Sequence, residues 1–197
     1  MKRYLSLVLV IAMLFSVLAL TSCGVDGIML YRLNKDKDGY VVSSLLKGNL
    51  VVLEGNIIPD TYNGLPVTEI AAGGFSGWTY LFDITIPGSV EKIGRYAFGS
   101  SGLIFLTVNE GTKIIDDYAF TNSVQLSEVT LPSTIEYIGA GAFGNCSSLV
   151  SISFNGTIAE WNEIEKGEGW CAFTGGDDGI LSIGCTNGVV TINAWEN

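Results

Sequence analysis

The chain has 197 residues, with 10 Lys and Arg, 20 Asp and Glu and no His, for a formal net charge of −10. That balance argues against DNA or RNA as a partner, because phosphate binding needs clustered cations, and the lack of histidine excludes His-dependent triads, His-ligated zinc and imidazole general bases. With 25 glycines and a 48% hydrophobic fraction, the chain is foldable, rich in turns and long enough for one domain with a sizeable core.

Lys2 and Arg3 precede an apolar run from Leu5 to Leu20 that is broken only by Ser6 and Ser16. Charged, apolar and small segments in that order make residues 1–22 a secretory signal. A permanent anchor is the rival reading, but the run reaches about 24 Å as a helix, short of the roughly 30 Å hydrocarbon core. It ends in Leu20-Thr21-Ser22-Cys23, which resembles the lipobox of bacterial lipoproteins. The resemblance implies that Cys23 is diacylated on sulfur and becomes the new N-terminus. The expected product is exported and lipid-anchored to a bacterial membrane, facing the cell surface or the periplasm. Lipid, at about 0.8 kcal/mol per buried methylene, then tethers an acidic protein that charge would not hold there.

Residues 23–39 read as a tether. Asn34-x-Asp36-x-Asp38-Gly39 imitates the start of a calcium-binding loop, but position twelve is Leu45 and no helix signal precedes it. A polar turn is the simpler reading, and no metal or cofactor is expected. Residues 40–66 follow as an N-terminal cap, with Val51 to Leu53 and Ile57-Ile58 suggesting strands.

Residues 67–156 are repetitive. Gly74-Phe75, Ala97-Phe98, Ala119-Phe120 and Ala142-Phe143 recur at spacings of 23, 22 and 23. The pattern L-x-x-I-x-I recurs as Leu81, Ile84, Ile86; Leu103, Leu106, Val108; Leu126, Val129, Leu131; and Leu149, Ile152, Phe154. A second pair, Val67 and Ile70, Val90 and Ile93, Thr112 and Ile115, Ile135 and Ile138, keeps the same register. This period and pattern lie in the leucine-rich-repeat range. Each unit gives a short strand that ends at Pro87, Asn109, Pro132 or Asn155, and a returning segment, with Ala-Phe between. One unit cannot close a core, whereas stacked units can. The expected fold is mainly β: a leucine-rich-repeat solenoid of 22- to 23-residue units with short parallel strands, capped by a short helix and a C-terminal β-hairpin.

The units from Ile86 to Phe98 and from Leu131 to Leu149 resemble the BspA-like leucine-rich repeats of bacterial and protist surface proteins. Pro59 to Val67 is similar to the half-unit that opens such arrays, and Phe154 to Asn162 with Cys185 to Gly188 is similar to their end. Gly74, Thr112, Trp78 and Ser123 depart from the pattern. The usual asparagine ladder is absent, since Ser89, Gly111, Thr134 and Thr157 stand in its place. The resemblance implies an extracellular binding or adhesion role. It transfers neither a ligand nor a catalytic residue.

Residues 157–197 form the C-terminal cap. Thr157 and Glu160 make a capping-box pattern, after which Ile158, Trp161 and Ile164 share one face of a short helix ended by Gly167. Leu181 to Thr186, Asn187-Gly188 and Val189 to Ile192 read as a hairpin. Cys146 packs at a repeat turn. Cys171 and Cys185 are candidates for a disulfide, since an exported location permits one.

Alternation along the strands places Asp83, Phe105, Glu128 and Ser151 in one outward column and Thr85, Thr107, Thr130 and Ser153 in the other. A hydroxyl column alone only keeps a sheet soluble. Phe105 among acids and hydroxyls is not explained that way, which makes these eight residues the candidate contact surface for an unknown protein or glycan outside the cell. Two alternatives remain open, an envelope assembly component and a hydrolase using Asp83 and Glu128. The anchor is directly testable: Cys23→Ala should abolish labelling by radioactive palmitate and move the protein out of the detergent phase.

Overall fold

Each repeat unit carries two short apolar segments and an Ala-Phe turn, and none of the three can bury its inner face without a neighbour. The structure, a computed structural model, describes residues 29–44 and 58–195. Cys23, the signal segment and the expected strand at Val51 to Leu53 lie outside the described residues.

The chain begins with an antiparallel pair, β1 (Met29–Leu33) and β2 (Tyr40–Ser44), joined by the polar turn at Asn34 to Gly39. There the Asn34 amide donates to Asp38 Oδ1 at 2.8 Å and the Asp38 N–H donates to Asn34 Oδ1 at 3.2 Å. The tether expected over 23–39 is therefore corrected from Met29 onward. Tyr31 is the reason: from within β1 its ring stacks on Tyr62 at 3.9 Å, with Tyr40 edge-on to both rings.

A short strand β3 (Thr61–Tyr62) then folds back on β4 (Leu65–Ile70). The coils follow, each supplying one strand to each of two sheets. One sheet runs β1-β2-β4, then β6 (Lys92–Ile93), β8 (Ile114–Ile115), β10 (Tyr137–Ile138) and β12 (Glu165–Lys166), parallel from β2 onward. The other runs β5 (Asp83–Ile86), β7 (Phe105–Val108), β9 (Glu128–Leu131), β11 (Ser151–Phe154) and β13 (Ile180–Cys185), all parallel, and closes with antiparallel β14 (Gly188–Asn193). The third side is built of Ala-Phe turns, laddered by hydrogen bonds such as Phe98 N–H to Ala119 O and Phe120 N–H to Ala142 O, both 2.8 Å.

Phe75, Phe98, Phe120 and Phe143 are fully buried and stack face to face along the axis at 5.3, 5.3 and 5.2 Å. Trp78 meets this column edge-on at one end and Trp170 at the other. Beside it runs a small polar column. Ser123 Oγ donates to Phe98 O at 3.0 Å, Ser101 and Ser123 hydroxyls stand 2.9 Å apart, and Cys146 Sγ donates to Phe120 O at 3.2 Å. Thr112, the departure from the apolar pair, is buried because its hydroxyl donates to Val90 O at 2.7 Å.

The helix α1 (Ile158–Glu163) starts with the capping box: Glu160 N–H donates to Thr157 Oγ1 and the Thr157 N–H returns to Glu160 Oε2. It ends at Glu163, four residues before the expected Gly167. Ile164 is extended, and the next two residues pair with β10 as β12. Lys166 closes the helix from there, donating to Trp161 O at 2.6 Å and Ile164 O at 2.9 Å and lying 4.7 Å from the Trp161 ring; burial lowers its pKa. The hairpin turn is Thr186-Asn187, one residue ahead of the expected Asn187-Gly188.

The cap is thus a further coil with α1 inserted into it. Glu165 to Phe173 follows the path of Tyr137 to Asn145, so Trp170 takes the place of Ala142 and Cys171 that of Phe143. The candidate pair Cys171 and Cys185 is not bridged in this structure. Cys171 is buried on the turn side, and Cys185 ends β13.

Two outcomes follow. Phe120 has a stacked ring on each side, so Phe120→Ala should cost about 3–5 kcal/mol and lower the single melting transition of the array. Burial pushes the Cys146 thiol from 9.0 up to about 12, with a Ser123 backbone hydrogen bond opposing. A raised folded pKa contributes stability that is full below pH 9 and is lost as pH rises towards 12. Cys146→Ser, which places at this position the residue type of Ser123, should keep the hydrogen bond to Phe120 O and flatten the alkaline fall in melting temperature relative to the parent.

Candidate functional site

The outer face of the second sheet is defined by alternation. In β5, β7 and β9 the four strand residues run exposed, buried, half-buried, buried, and β11 differs only in exposing Ser153. Ile84, Leu106, Val129 and Ile152 point into the core beside Ile86, Val108, Leu131 and Phe154. The residues between them must therefore face out.

Strand pairing brings all eight candidate residues together in the expected order. Asp83 pairs with Phe105, Phe105 with Glu128 and Glu128 with Ser151; Thr85, Thr107, Thr130 and Ser153 pair likewise. The columns continue into the cap as Ser182 and Thr191, and as Gly184 and Val189. Phe105 is 43% exposed at the start of β7, with an acid in register on each side.

Sequence reasoning missed Tyr80 and Phe82. They precede β5, contact each other edge-on at 6.4 Å, and Phe105 N–H donates to Phe82 O at 3.0 Å. Their signal was visible as two aromatics flanking Leu81, but the repeat pattern draws attention to the leucine. The face itself carries one exposed aromatic, Phe105, with a carboxylate in register on each side and a hydroxyl column beside it.

Charges are distributed unevenly. The ion pairs among the described residues, Lys92–Asp116 at 2.8 Å and Lys113–Glu91 at 3.9 Å, both lie at the first sheet. Burial raises the Asp116 pKa, but the Lys92 hydrogen bond, the Asp117 N–H and the charges of Lys92 and Arg95 outweigh it and hold the carboxyl below its ordinary value. Asp83 and Glu128 take part in neither pair and leave the second sheet's face acidic.

Asp83 and Glu128 lie two strands apart, about 10 Å at roughly 4.8 Å per strand. That is wider than the roughly 5 Å of a retaining glycosidase pair or the about 6.5–9.5 Å of an inverting one, and Phe105 lies between them. Among the described residues no group of three or more His, Cys, Asp or Glu is placed to hold a metal ion. What this arrangement does chemically is offer stacking area and hydrogen-bonding groups.

Residues 58–164 match the BspA type leucine rich repeat region, in six copies. The crystal structure of a leucine-rich repeat protein from T. pallidum has a TM-score of 0.50 at 25% identity, covering 71% of this chain and 78% of its own. A leucine rich cell surface protein from Faecalibacterium prausnitzii A2-165 has a TM-score of 0.43 at 24% identity, over 70% of this chain and 40% of that one. A leucine-rich repeat protein from Bacteroides ovatus ATCC 8483 has 0.45 at 19% identity, over 79% of this chain and 57% of that one. No curated protein matches the chain.

Proposed function

The chain belongs to the BspA type leucine-rich repeat family, and we propose that it is an exported binding or adhesion module whose second-sheet face engages a protein or glycan ligand. Lipid on Cys23 holds it to a bacterial membrane. The lipobox-like Leu20-Thr21-Ser22-Cys23 supports the anchor, and among the described residues no helix is long and apolar enough to cross a membrane.

One observation carries the choice of face: Phe105 is 43% exposed on β7, one strand in from the sheet edge, in register between Asp83 and Glu128 and beside the threonine column. An exposed aromatic gains from a partner both apolar burial and ring contacts. Parallel strands in fixed register hold the surrounding groups still, so little ordering opposes binding.

The test is to apply purified residues 24–197 to arrays of glycans and extracellular-matrix proteins, then repeat with Phe105→Ser. A ligand of this face should bind the variant more weakly by about 1 kcal/mol or more, with the melting temperature nearly unchanged. Unchanged affinity with a falling melting temperature would make Phe105 a packing residue and overturn the assignment.

A further inference from the structure

The turn side of the coil bears a feature that neither sheet uses. Gly73, Tyr96, Tyr118, Gly141 and Gly169 occupy equivalent places in successive coils, all left-handed with φ between 55° and 64°. Tyr96 and Tyr118 stack there at 5.0 Å and 9° between planes, with the Arg95 guanidinium 5.4 Å from each ring centroid. The stack stops at Gly141. A Cβ at Gly141 would stand 2.6 Å from Tyr118 Cε1, so the ring leans over bare backbone. Tyr96 covers one side of Tyr118, and the other side opens on a groove of about 440 Å3.

Small residues floor this groove, and its walls are Tyr118, Asn145, Glu168 and Phe173. Phe173 is the anomaly. Its place in the two preceding coils is held by Asn122 and Asn145, residues that tolerate the left-handed conformation, and their side chains are linked at 2.9 Å. Phe173 adopts the same conformation at φ 60° and is 64% exposed. A bulky left-handed residue that also exposes its ring stabilises neither the backbone nor the core.

The lining chemistry narrows the occupant. No Lys or Arg lines the groove and Glu168 does, on a chain of net charge −10, which disfavours anions. The floor's backbone is already committed: Gly141 N–H donates to Glu168 O at 3.2 Å and Asn145 N–H to Ala172 O at 2.8 Å. A peptide strand would find no free ladder there. Ring faces beside an amide and a carboxylate instead suit a ligand that is flat and apolar on one side and rimmed with hydroxyl donors.

We propose that this groove binds a neutral oligosaccharide, one pyranose ring continuing the tyrosine stack above Gly141, with hydroxyls donating to Glu168 and Asn145 and Phe173 flanking the next ring. The site is independent of the second-sheet face.

The test is calorimetric titration of the purified full-length chain with cellohexaose, maltohexaose, laminarihexaose and mannohexaose, expecting a Kd of about 0.1–5 mM for at least one of them. Tyr118→Ala and Phe173→Ala should each weaken that binding about tenfold or more, and Lys113→Ala, an exposed change at the first sheet outside the groove, should leave it unchanged. If Tyr118→Ala fails to fold, Phe173→Ala carries the test alone, because its ring is exposed. No binding to any of the four sugars up to about 10 mM, binding that survives Phe173→Ala, or binding lost equally in Lys113→Ala would each overturn the proposal. So would capture of an aromatic peptide that competes for the groove in place of sugar.

Discussion

The stack of Phe75, Phe98, Phe120 and Phe143 sets the geometry on which the rest of the molecule depends. Its repeat of 5.2–5.3 Å is close to the roughly 4.8 Å between hydrogen-bonded strands, so one rise per coil satisfies ring contact and backbone pairing together. A unit of a different rise would break one or the other. The 22- and 23-residue units both meet the condition because the shorter one loses a residue at the turn near Ser101, away from the strands and the ring.

That coupling explains why the repeat could be read from the sequence. Positions that repeat in space must repeat in kind, so Phe, Leu and Ile at fixed offsets announce both sheets and their register. The columns Asp83-Phe105-Glu128-Ser151 and Thr85-Thr107-Thr130-Ser153 follow from the same rule. The rule fails where the sequence is irregular. Tyr31, in the middle of an expected tether, is committed by a stacking partner some thirty residues away at Tyr62, and no local pattern indicates that contact. The last coil hides because α1 is inserted into it and because Trp170 and Cys171 replace Ala and Phe.

The two surfaces discussed were legible to different degrees for the same reason. Strand alternation gives the outer residues of the second sheet as soon as the inner ones are known. The turn side lacks such a rule. Its side chains radiate from left-handed residues whose conformation is set by the coil, and the column mixes Tyr96 and Tyr118 with Gly73, Gly141 and Gly169, so no single residue type marks it. The buried polar column shows the converse. Ser123 and Cys146 differ in chemistry and still perform one task, each donating to the carbonyl of the preceding coil's phenylalanine.

Parallel stacking has a direction, and each coil offers its successor the template that it received from its predecessor. The antiparallel strand β14 interrupts this in the second sheet, since it presents a reversed edge on which a further parallel coil has no matching register. The array is therefore finite by construction at that side, in the way that a terminating monomer ends a polymer. Lengthening such a protein over evolutionary time requires copying coils within the body, upstream of α1. Any coil added beyond the reversal would have to found a separate domain.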